Sequence, residues 1–188
     1  MCGAAKLYIR PLRSRKSSVD TTYAEASPIA IRRARPGDAK GIENLYGELV
    51  DSANVCVLPE RIAELEDDPR TSLLVMEDKG VLHATALLIF CADVMYATQP
   101  FAIVENIVVS VASRGRGLGT AFLRHIEEEC IARDCTKIML LSAVERGRAH
   151  NFFERCGFSG SKKKGFVKYR RAFRNGAGSS PVSIARKT

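Results

Sequence analysis

Apolar positions recur along this chain with two periods, about 3.6 and 2, and the changes between them mark its elements. Ile29 to Arg35 is a short strand candidate, ended by Arg-Pro-Gly-Asp. Asp38 can cap a helix running to about Ser52, since Ile42, Leu45 and Leu49 share one stripe. Pro59 opens a second, shorter helix with Ile62 and Leu65 inward and Asp67-Asp68 at its end. Thr71 to Glu77 is a strand, Asp78-Lys79-Gly80 a tight hairpin, and Val81 to Met95 a long returning strand. Phe101 to Val109 is the next strand. Leu118 to Arg133 follows as a helix, with Leu118, Phe122, Ile126 and Cys130 at i, i+4 spacing. Lys137 to Leu141 reads as a buried strand, Arg148 to Arg155 as a helix and Gly165 to Arg171 as a last strand. Strands and helices in the order βααβββαβαβ predict one α/β domain on a mixed central sheet.

The junction after the fourth strand carries the densest chemistry. Residues 114–120 read Arg-Gly-Arg-Gly-Leu-Gly-Thr, between an apolar strand and an amphipathic helix. Glycines 115, 117 and 119 clear the way for close backbone approach. The helix N-terminus offers N–H groups to an anion, and Arg114 and Arg116 add positive charge suited to phosphate oxygens. A pyrophosphate is the predicted ligand. No Lys follows the glycines, which excludes a Walker loop. The dinucleotide fingerprint needs a third glycine where this chain has Thr120 or Phe122.

The spacing Arg114-x-x-Gly117-x-Gly119 resembles the acetyl-CoA loop of the GNAT acetyltransferases, Gln/Arg-x-x-Gly-x-Gly/Ala. Downstream, RAHNFFERCGF at 148–158 resembles that family's second motif, A-x-x-F-Y-E-x-x-G-F. Ala149, Phe152, Glu154, Gly157 and Phe158 match, and Phe153 stands where Tyr is usual. The resemblance covers roughly residues 29–171 and implies the GNAT fold with acetyl-CoA as co-substrate and no metal. It places the pyrophosphate on Arg114, Gly115, Arg116, Gly117, Leu118, Gly119 and Thr120, and the pantetheine arm along Ile107, Val108 and Val109, with Phe153 beside the cofactor. Glu105 interrupts an apolar run, where lost hydration disfavours its charged form. The resemblance makes it the candidate general base; a partly exposed Glu, or one paired with Asn106 or an Arg, is the alternative. Phe153 has no proton for the departing thiolate. Water, Ser142 or His150 could supply one, and a His that merely packs or faces solvent is the competing reading. SAVERGRAHNFFERCGF resembles the small-molecule branch of the family, so a small amine is the expected acceptor. Residues 51–70 and the 96–100 loop are its expected wall. A protein Nα- or lysine acetyltransferase and a non-catalytic acetyl-CoA-binding module remain as alternatives, and a homodimer is left open.

Charge changes the picture only at the ends. The net +8 divides into +3 over residues 1–28, −4 over 29–160 and +9 over 161–188. A basic face on the domain body, which nucleic-acid binding calls for, is therefore not expected. The longest apolar stretch, Ala84 to Ala92, is too short to span a bilayer. Six cysteines without a C-x-x-C pair, and three scattered histidines, suggest reduced thiols rather than a zinc site. Residues 1–28 are Arg-rich and acid-poor like a transit peptide, but Pro11 would break its helix. The expectation is a flexible extension on a cytoplasmic protein, or a mitochondrial one if the segment is a transit peptide. Residues 172–188 read as a disordered basic tail.

Overall fold

The computed structural model describes residues 29–50 and 54–173. The extension at 1–28 and nearly all of the tail expected at 172–188 lie outside the described residues. Five strands form one sheet in the order β1-β2-β3-β4-β5: β1 Ala30–Arg33, β2 Thr71–Asp78, β3 Val81–Cys91, β4 Phe101–Val109 and β5 Ile138–Leu140. The first four pair antiparallel, and β5 joins β4 in parallel. That parallel step requires a crossover, which α3, Leu118–Ala132, supplies. Helices α1, Ala39–Leu49, and α2, Pro59–Glu66, sit between β1 and β2, and α4, Gly147–Arg155, follows β5.

Each face of the sheet has its own core. Ala84, Ala86, Leu88, Ala102 and Val104 turn toward Phe122 and Ile126 of α3, with Phe152 and Phe153 of α4 packed at the border. Leu73, Val75 and Leu87 turn the other way, toward Ile42 of α1 and Ile62 of α2. The period-2 alternation of the strands thus supplies both layers at once.

The hairpin forms where the sequence predicts it: Lys79 and Gly80 take φ of +50° and +80°, as a type I′ turn requires. Three expectations of the strands change. β5 lies at the sheet edge and is not buried: Met139 is exposed, and Ile138 and Leu140 are half-buried. The long strand stops at Cys91, because the Asp93 carboxylate accepts the N–H groups of Val94 and Met95 and turns the chain. No strand forms at 165–171. Residues 165–170 run exposed, and a Cβ on Gly165 would come within 2.7 Å of Leu141 just past β5, but no ladder joins them. The observed order is therefore βααβββαβα.

Candidate functional site

The site grows from one irregularity in β4. Leu87 lies opposite Glu105 and Thr85 opposite Val108, so β4 holds one residue more than β3 over this stretch. That extra residue makes a bulge. Asn106 sits in it with φ of +52°, a left-handed angle that Asn tolerates better than most side chains. The Tyr46 phenol on α1 hydrogen-bonds with the side chains of Thr85 and Asn106, although burial dominates and raises its pKa.

On its other edge β4 pairs with β5 only at Ala102, Ile103 and Val104. Beyond Val104 the two strands part. Ser110 N–H donates to His83 O on β3 at 2.8 Å. By alternation Val108 also turns its backbone groups to β3, and Ile107 and Val109 turn theirs into the opening. Of the three strand residues expected along the cofactor arm, two therefore offer backbone there. The bulge also separates the side chains. Glu105 shares the α1/α2 face with Leu87, whereas Ile107 and Val109 pack on the α3 side. Glu105 is half-buried, and no hydrogen bond or ion pair engages its carboxylate among the described residues.

The glycine loop lies where β4 ends. Glu48 of α1 accepts from Ser110 Oγ at 3.0 Å and from Val111 N–H at 2.6 Å, which fixes the strand exit. Buried Ser113 places its Oγ 2.8 Å from His83 Nδ1. Arg114 is exposed, and its Nε donates to Val109 O at 3.1 Å, holding it across the mouth of the opening. Gly115 and Gly117 have φ of +77° and +78°, and Gly117 is the residue from which α3 starts. The ladder of α3 begins with Ala121 N–H bonding to Gly117 O. The N–H groups of Leu118, Gly119 and Thr120 precede it and form the helix's free positive end. Gly119 has a different reason. A Cβ there would meet Phe152 Cζ at 3.0 Å and Val109 Cγ2 at 3.5 Å, so its bareness lets α4 and β4 close on α3. Arg116 and Thr120 are exposed beside the same end.

Helix α4 brings the second motif to this place. Phe153 packs between Phe152, with centroids 5.4 Å apart, and Phe158, 6.0 Å away edge-on. His150 Nε2 donates to Ala143 O at 2.9 Å, so that proton secures the turn before α4. Arg146 reaches across the opening to Leu49 O at the end of α1.

The two segments expected to wall the acceptor border different hollows. A cavity of about 500 Å³ lies between α1, α2, β2 and β3 and is lined from residues 56–68, but not by the 96–100 loop. Tyr96 and Gln99 instead border a separate hollow with Lys137 and Lys163. Sequence reasoning missed Tyr46, and it named Asn106 only as a partner for Glu105, whereas the structure pairs it with Tyr46. A half-polar Tyr on an apolar helix stripe, and an Asn inside a strand, were the available signals.

The profile of the Acetyltransferase (GNAT) family matches residues 42–158. A glucosamine 6-phosphate N-acetyltransferase from Arabidopsis thaliana is 26% identical over 140 residues, spanning 71% of this chain and 92% of that one. The crystal structure of the Arabidopsis thaliana glucosamine-6-phosphate N-acetyltransferase superposes with a TM-score of 0.65 at 25% identity, covering 76% of this chain and 98% of that one. A putative acetyltransferase from Agrobacterium tumefaciens str. C58 gives a TM-score of 0.69 at 32% identity, covering 75% of this chain and 100% of that one. A rice glucosamine 6-phosphate N-acetyltransferase is 38% identical, over 55 residues that span 29% of this chain and 32% of the rice enzyme.

Proposed function

From the premise that the chain belongs to the GNAT family and is an acetyltransferase, we propose that it carries the acetyl group of acetyl-CoA to the primary amine of a small molecule, by direct attack in a ternary complex. The observation that carries this reading is the opening of β4 from β5 beyond Val104, which leads straight to the Arg114–Thr120 loop. Relatives named for glucosamine 6-phosphate, a small amine, support the choice of acceptor class.

In this reading the N-terminus of α3, with Arg114 and Arg116, holds the pyrophosphate. The pantetheine arm runs along the free edge of β4 and bonds to backbone of Ile107 and Val109. The thioester then lies near the bulge, where a backbone N–H can polarise its carbonyl. The amine lone pair bonds to the carbonyl carbon. The C–S bond breaks, and its electron pair leaves on sulfur as the CoA thiolate. The proton shed by the nitrogen passes to Glu105, directly or through one water. Phe153 contributes packing and no proton. His150 holds its Nε2 proton against Ala143 O, so water and Ser142 remain as the sources for the thiolate. A CoA thiol is a much better acid than an amine, so the thiolate leaves readily near neutral pH.

The test is release of free thiol from acetyl-CoA, followed across a panel of amines. Glu105→Gln should lower kcat on the order of 10²-fold or more while acetyl-CoA affinity holds, and the loss should ease at high pH, where free amine is plentiful. Unchanged turnover at neutral pH would remove Glu105 from the mechanism. Acetyl-CoA binding with no amine-dependent thiol would point to a binding module instead.

A further inference from the structure

The cavity between α1, α2 and the sheet says something about the body of the acceptor. Its volume of about 500 Å³ falls within the range of about 300–1,000 Å³ usual for small-molecule sites. Aliphatic side chains make its walls, among them Ile42, Ile62, Leu73, Leu87 and Ile89. Its charged lining residues, among those described, are two. Arg61 is already paired with Glu64, and Asp68 Oδ1 accepts the N–H of Arg70 at 2.8 Å. Among the described residues no group of cations lines the space to hold a phosphate, although binding a phosphate away from water calls for several charged or N–H donors.

The inner end of the cavity meets the candidate chemistry. Leu87 lines it and lies directly opposite Glu105 across β3 and β4, so the two side chains stand on the same face about 5 Å apart at Cβ. Tyr46 also lines it, and its phenol bonds to Asn106 in the bulge. A molecule filling the cavity therefore meets Leu87 and Tyr46, the neighbours of Glu105 and of Asn106, although Glu105 does not itself line the space. The opening between β4 and β5 reaches the same bulge from the other edge of β4.

Resting on the small-amine reading above, we infer that this cavity is the acceptor subsite and that it takes a primary amine on a compact apolar body, alkyl or aryl, in preference to a phosphorylated amino sugar. The hydrocarbon portion replaces water along the aliphatic walls, and the nitrogen projects toward Glu105. Burial of the apolar part supplies most of the affinity, and the carboxylate supplies orientation.

Binding is measured first, by calorimetric titration of the full chain with 2-phenylethylamine and with n-hexylamine in the presence of CoA. Saturable binding that Leu65→Trp, which fills the cavity from α2, weakens at least tenfold supports the inference. Cys56→Trp at the exposed rim makes the same test without disturbing the core, should the first variant fold poorly. No saturable binding, or binding that a folded variant leaves unchanged, overturns it. Turnover separates the two readings. Higher kcat/KM with glucosamine 6-phosphate than with either apolar amine overturns the subsite assignment and leaves the acetyltransferase reading standing. Cavity binding without acetyl transfer to any amine overturns the small-amine reading and the acceptor role together, and leaves only an apolar amine-binding site.

Discussion

Asn106 shows how much of the site hangs on a single residue. Its φ of +52° inserts the extra position that turns Glu105 toward α1 and α2 and sends Ile107 and Val109 to the other face. A β-branched side chain at such an angle costs on the order of 1–3 kcal/mol, and straightening the strand avoids that cost. Asn106→Val should therefore lower kcat/KM for both substrates on the order of 10²-fold. Asn106→Gly accepts the angle and loses only the amide that meets Tyr46, so its activity should stay within about tenfold of wild type. Steady-state kinetics on both variants check this, and equal losses would mean that the bulge is not what positions the site. Glu105 was legible in the sequence because a lone acid stood in an apolar run. Asn106 beside it was not, since an Asn in a strand says nothing of its φ until its register partners are known.

At the scale of elements, the loop into α3 uses glycine for two purposes that the sequence presents alike. Gly117 is bare because of its backbone angle, and a side chain there would meet nothing within 4 Å. Gly119 is bare because Phe152 stands 3.0 Å from where its Cβ would be. Gly117→Glu should leave the fold largely intact but abolish the rise in Tm that acetyl-CoA produces, because a carboxylate then occupies the anion's place. Gly119→Val should instead lower the Tm of the free protein, through overpacking of about 1–3 kcal/mol. Thermal melts with and without acetyl-CoA separate the two, and a swapped pattern would contradict the assignment. The same limit explains the strand expected at 165–171. Val167, Lys168, Tyr169 and Arg170 do alternate apolar and charged. A strand, however, exists only by pairing, and β5 ends at Leu140, before its neighbour could form a ladder. Helices α1 and α3 and strands β2 and β4 were readable because their own periodicity names the face they bury. The cavity was not readable, since a void belongs to the packing of four elements and to no one of them.

At the scale of the molecule, the layer that holds the cavity is fastened to the sheet by two neighbouring cations of β1, Arg33 donating to Leu65 O and Asp68 O at the end of α2 and Arg32 clamping the start of α1. The Arg32 guanidinium on β1 takes both oxygens of Asp38, at 2.7 and 3.0 Å, just before α1. It also donates twice to Glu77 Oε2 near the end of β2, at 2.9 and 2.6 Å. From this clamp α1 runs to Glu48 and Leu49, which secure the exit of β4 and the Arg146 side chain. The hydrogen bond from Arg32 holds Asp38 below its ordinary carboxylate pKa, and the same partner lowers Glu77. A carboxyl depressed in the folded state stabilises that state fully above its unfolded pKa and less as pH falls toward the folded one. Arg32→Met should lower the Tm at pH 7, where both carboxylates are charged and would lose a charge-assisted partner. As pH drops below about 4, protonation weakens the clamp in the wild type, so the two proteins should converge in Tm. Because α1 carries Tyr46 to the bulge and Glu48 to the strand exit, the variant at pH 7 should also raise KM for the acceptor more than it lowers kcat. A Tm difference that stays constant from pH 7 to pH 3 would show that Arg32 acts through its packing alone, and that the acceptor layer is held by its apolar contacts rather than by this charge cluster.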